Sequence, residues 1–130
     1  MSHFSTIQTK IKDKDNLVEA LELLGYWKND EHQELSVYGA HAIDHPKVKA
    51  DILVTEEIGF RLNEQTGTYE LVTDLETWKE SIPPKRFVEK VTQQYARMTI
   101  YNTVKDMGFE VAEEWEMDDN SIEITVNRWN

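Results

Sequence analysis

The chain has 130 residues, 39% hydrophobic and 10% aromatic, which suits one domain with a single packed core. It carries 25 Asp and Glu against 14 Lys and Arg, a net charge of -11, and no cysteine. That composition excludes disulfides, iron–sulfur ligation, thiolate nucleophiles and Cys-based zinc sites, and fits a reducing cytoplasm. No apolar run approaches the ~20 residues needed to cross a bilayer, and the opening MSHFSTIQTKIKDKDNL lacks the apolar core of a secretory signal.

Ser5, Ile7, Thr9 and Ile11 alternate with Thr6, Gln8 and Lys10, which predicts a first strand with one half-apolar face. Asp13 is placed to cap a helix, and Asp15 sits where the helix dipole favours negative charge. Leu17, Val18, Leu21 and Leu24 fall at helical spacing before Gly25, so the first helix is expected over 14–24. Leu35 to Tyr38 reads as a short strand. His41 to Lys49, with Pro46, reads as an irregular excursion. Two clear strand signals follow, Ala50–Glu56 and Ile58–Asn63; their joint at Glu57 leaves little room for a tight turn, so one bulged strand bent at Gly59 is the alternative. Glu64 to Gly67 is a turn, Thr68–Thr73 a further strand, and Leu75 with Trp78 a single helical turn over the core.

Pro83-Pro84 opens a long helix over 84–107, since proline is tolerated only in a first turn. Phe87, Val91, Tyr95 and Met98 make its apolar stripe, continued by Tyr101 or Val104, and Gly108 ends it. Strict alternation beyond Gly108 puts Val111 and Trp115 on one strand face with Ala112 on the other, and lets Glu114 and Glu116 share a face opposite Glu113. Asp118-Asp119-Asn120 is a turn, and Ile122, Ile124 and Val126 alternate in the last strand. The expected fold is α+β: a two-layer, mostly antiparallel sheet packed by two main helices, forming a single domain over 1–130.

Several segments taken together resemble a known family. They are MSHFSTIQTKIKD, LVEALELLGY, ADILV, IGFRLNEQTGTYELVTDL, RFVEKVTQQYA, GFEVAEE and SIEITVNRW. In this order they cover most of the chain, and they are similar to the hypothetical chloroplast open reading frame thirty-five proteins of cyanobacteria and algal plastids. YARMTIYNTVKDMGF, GAHAIDHPKVK and EWEMDDN depart from that pattern, as a divergent member such as one carried by a cyanophage would. The resemblance implies a location in the cytoplasm, the plastid stroma or an infected host's cytoplasm, and a partner role in photosynthetic or redox metabolism. It implies no settled activity and no cofactor.

From Glu110 to Glu123 there are seven carboxylates and no Lys or Arg, so this stretch supplies -7 of the net charge. The plain reading is solubility; the sharper one is a docking face for a basic protein, which would also repel nucleic acid. Glu113, Glu114, Glu116, Asp118 and Asp119 would steer the partner, with Arg128 and Trp129 as flanking anchors. Tyr26, Trp27, Trp78, Tyr95, Tyr101 and Trp115 are expected to serve mainly the core, Trp27 excepted. A weaker candidate is a metal- or ligand-binding pocket using His41, Asp44, His45 and Asp51, although Pro46 argues against the helix that His-x-x-x-His ligation needs. A third is an acidic nucleic-acid mimic. Catalytic elbows, phosphate loops and basic nucleic-acid footprints are absent from the sequence, and neither a catalytic residue nor oligomeric state is indicated.

Overall fold

The computed structural model describes residues 4–26, 35–37, 48–55, 57–119 and 121–128. The chain starts with strand β1 (Phe4–Gln8) and helix α1 (Lys14–Leu23). Asp13 caps α1 by accepting the Asn16 N–H at 3.1 Å, and Gly25 leaves the helix at φ +85°, where a side chain would be strained. Ten residues are too few for a helix to hold itself in water, so burial of Leu17, Val18, Ala20 and Leu21 has to stabilise it.

Short strands β2 (Leu35–Val37) and β3 (Val48–Ala50) pair with each other. Then come β4 (Ile52–Thr55), β5 (Ile58–Asn63), β6 (Thr68–Asp74) and a 3-10 turn at Leu75–Thr77. The two strand signals are two strands joined by a tight hairpin and not one bent strand, because β4 and β5 pair antiparallel, Ile52 opposite Phe60 and Thr55 opposite Ile58. The Thr55 hydroxyl accepts the Glu57 N–H at 3.1 Å and helps close the turn. The irregularity expected at Gly59 lies on the strand opposite it, in a register shift between Leu53 and Thr55. Asp51, between β3 and β4, accepts the Leu62 N–H of β5 on its carboxylate at 2.7 Å.

Strand order in the main sheet is β1-β6-β5-β4, every neighbour antiparallel. Its core face presents Ile52, Val54, Ile58, Phe60, Tyr69 and Leu71 to the apolar side of α1 and to Phe87, Val88 and Val91 of the long helix α2 (Pro84–Asp106). Tyr26 and Trp78 both stand edge-on to Phe87, at 5.0 and 5.6 Å between centroids. The two helices are joined by polar contacts: Asn102 donates to Asn16 at 2.7 Å, and Asn16 donates to Thr99 at 3.3 Å. The α+β expectation therefore holds, with both helices within a residue of their expected ends. The strands divide into the four-stranded sheet and two separate two-stranded ribbons, β2–β3 and the C-terminal β7 (Phe109–Glu116) with β8 (Ile122–Arg128).

Candidate functional site

The C-terminal hairpin stands apart from the core. No residue of β7 or β8 is fully buried, and the core cluster includes none of them. It rests on the second half of α2, which extends beyond the core.

Its faces are set by one extra residue. Val111 lies opposite Val126 and Glu113 opposite Thr125, so β7 advances two residues while β8 advances one, and Ala112 is the bulge. Alternation restarts after it. Val111, Glu114 and Glu116 turn towards α2 together with Ile122, Ile124 and Val126. Glu110, Glu113, Trp115 and Glu123 turn outward. The bulge therefore overturns the expected pairing of Val111 with Trp115: Trp115 lies on the solvent face, 47% exposed.

Glu114 is held on the inner side. Tyr101 donates its hydroxyl to Glu114 Oε2 at 2.5 Å, and Arg97 Nε donates to Oε1. Arg97 also donates through Nη1 to Gln94 Oε1. The Tyr101 hydroxyl foremost, then Arg97, holds the Glu114 carboxyl below the usual carboxylate range despite partial burial. The same hydrogen bond pushes the Tyr101 phenol up. Glu116 accepts from Gln93 Nε2 at 3.1 Å. These bonds clasp the hairpin onto α2.

A cleft opens on each side of the clasp. The one of about 430 Å³ is lined by Leu24, Ile82, Arg86, Lys90, Gln94 and Arg97, among others. The other, about 600 Å³, is mostly apolar and runs between Leu23 of α1, the Met98–Val104 stretch of α2 and Phe109 and Val111 of β7.

The remaining sequence candidates are scattered. Glu113, Asp118 and Asp119 are exposed. The Asp119 carboxyl is held low by the Ser121 hydroxyl, which donates to it at 2.5 Å. Arg128 is exposed, its guanidinium 5.6 Å from the centre of the Phe109 ring. Trp129, Trp27, His41, Asp44 and His45 lie outside the described residues, and Asp51 is a surface group engaged with the Leu62 backbone. No group of three or more metal-ligating side chains occurs among the described residues. Nor is any helix among them long and apolar enough to cross a membrane. The sequence reading missed both the Arg97–Glu114–Tyr101 clasp and the outward Trp115. Arg97 and Tyr101, four apart on one helix, were a signal for the first; without the bulge, nothing signalled the second.

Residues 20–125 match the family model described as "Protein of unknown function (DUF1257)". The chain belongs to that family. It is 36% identical over 136 positions to "Uncharacterized protein ycf35" of Pyropia yezoensis, covering 100% of this chain and 99% of that one. Proteins of the same name from Guillardia theta and Cyanophora paradoxa are 31% and 30% identical, each covering 99% of this chain and 98% of its own. The resemblance read from the sequence is thereby borne out along the whole chain. No solved structure matches it significantly.

Proposed function

We propose that this family member is a non-catalytic protein-binding module that captures a basic partner on the outer face of the β7–β8 hairpin. The observation that carries the reading is Trp115, half exposed among Glu113, Glu123 and the acidic turn at Asp118 and Asp119. Met117 beside it is 42% exposed. A large aromatic ringed by charge of one sign is the composition of an interface anchor: the ring supplies buried area, and the carboxylates steer the partner and exclude others. A folded hairpin with no buried side chain gains nothing for its own stability from an outward Trp.

The division of labour among the acids follows from the faces. Glu113, Asp118 and Asp119 serve the partner, whereas Glu116 turns to α2 and bonds to Gln93. Glu114 serves the hairpin's own attachment, and Arg128 lies at the far end from the turn. The family resemblance directs the search for the partner to photosynthetic or redox metabolism.

Affinity capture from the native cell, read by mass spectrometry at low and high salt, tests the proposal. A partner should be retained at low salt, released at high salt, and lost in both Trp115→Ala and the Glu113→Lys/Glu123→Lys double variant. A partner retained equally by all three proteins, or none depending on Trp115, overturns the assignment of this face.

A further inference from the structure

The cleft beside the clasp is where this acidic chain gathers cations. Arg86, Lys90 and Arg97 line it, three of the fourteen Lys and Arg in the sequence. The carboxylates on its wall already have partners. Glu89 pairs with Arg86 at 3.3 Å, and Glu116 accepts from Gln93.

Arg97 uses Nε on Glu114 and Nη1 on Gln94, so its Nη2 has no acceptor among the described residues. Only the amide oxygen of Gln94 can accept from a guanidinium, so Gln94 Nε2 points away from Arg97. That nitrogen has no acceptor among the described residues either, although Gln94 is only 8% exposed. Lys90 makes no ion pair among them. A solvent-accessible amide donor, a free guanidinium edge and an ammonium around one concavity favour negatively charged oxygen. Leu24 and Ile82 complete the wall with apolar surface.

We propose that this cleft binds a small organic anion. Its carboxylate or phosphate group would sit against Lys90, Arg97 Nη2 and Gln94 Nε2, with an apolar body on Leu24 and Ile82. The volume, about 430 Å³, lies inside the range of roughly 300–1,000 Å³ typical of small-molecule sites. The chain's overall negative charge opposes an anion at long range, but screening confines that field to about 8 Å at physiological salt. Close donors therefore decide the outcome. The site faces α2, away from the Trp115 face, so it stands or falls independently of the docking surface.

The test is a titration of the 15N-labelled full chain with phenyl phosphate, benzoate and inorganic phosphate, following the Gln94 side-chain amide by NMR. Phenyl phosphate or benzoate should shift that amide saturably, and the tighter of the two identifies the headgroup. Lys90→Ala should weaken binding about tenfold, the worth of one charge-assisted hydrogen bond. Lys85→Ala removes the same charge from an exposed position outside the cleft and should leave affinity unchanged. Shifts that do not saturate, equal losses in Lys85→Ala and Lys90→Ala, or inorganic phosphate binding as tightly as phenyl phosphate would each overturn the proposal.

Discussion

Breaking the Arg97–Glu114 contact should release the hairpin while leaving the main sheet closed. Arg97 and Glu114 are 26% and 24% exposed, so solvent screens the pair in part. A hydrogen bond to a charged group contributes about 1.5–3 kcal/mol when well buried, and a fully exposed pair under ~1 kcal/mol. An intermediate coupling of about 1–2 kcal/mol is expected, with about 1.4 kcal/mol corresponding to a tenfold change in an opening equilibrium. Since no hairpin residue belongs to the core, that loss should appear as local opening. Hydrogen exchange of β7 and β8 amides should quicken about 5- to 30-fold in Arg97→Ala, with β5 and β6 unchanged. The double-mutant cycle with Glu114→Gln isolates the pair from the Tyr101 bond that glutamine still accepts. The pH dependence has a defined sign on both sides. Glu114 is depressed in the folded state, so its contribution is present above the unfolded value of about 4.3 and is lost as pH falls through the folded value. Tyr101 is raised, so its contribution is present below about 10 and is lost on further alkalinisation. Hairpin protection should therefore be level between roughly pH 5 and 9. Zero coupling in the cycle, or acceleration spread equally over β5 and β6, would refute the clasp.

Two further outcomes follow from the main sheet and the end of α2. Glu70, 5% exposed, accepts from Arg61 at 2.8 and 3.1 Å and from Gln8 at 2.7 Å. Burial alone would raise its carboxyl, but these donors outweigh burial and hold it low. In urea titrations Glu70→Gln should cost about 1–3 kcal/mol at neutral pH. The gap to the parent should narrow as pH falls through the depressed folded value, because protonation removes the same charge. Gly108 ends α2 at φ +83°, and a Cβ added there would have open space for 4 Å around it, so Gly108→Ala meets backbone strain alone. A thermal melt should show a loss of about 1 kcal/mol, and a smaller one for Gly108→Asn.

The helices and most strands were legible because each is announced locally. Asp13 and Gly25 bracket α1, Pro84 and Gly108 bracket α2, and the apolar stripe between them is periodic. Two features were not legible, for one reason: each depends on how a strand pairs. The sequence around Glu57 is equally compatible with a bent strand and a tight hairpin, and only the pairing of Ile58 with both Thr55 and Thr73 decides between them. The candidate site fared similarly. The acidic stretch was visible as charge, but charge alone does not say which carboxylates face water. Glu114 becomes structural and Trp115 becomes available through Ala112, a residue with no chemistry of its own.

That dependence makes Ala112 the most informative residue to remove. Deleting it leaves a strand that alternates without a bulge and keeps the same faces, with Val111, Glu114 and Glu116 inward and Glu113 and Trp115 outward. Arg97 and Tyr101 then keep their acceptor, and the outer face keeps its only aromatic among the described residues. Both consequences are measurable in one protein. The contribution of Trp115 to fluorescence, taken as the difference from a Trp115→Phe version in each background, should keep its wavelength and stay open to acrylamide quenching. The Arg97→Ala substitution should cost as much as in the parent, since its partner is still in place. Basic-partner capture should match that of the parent. If the deletion variant instead buries Trp115 or loses the Arg97–Glu114 coupling, Ala112 is not the extra residue that sets the faces. The assignment of an inner clasp and an outer docking surface then fails with it.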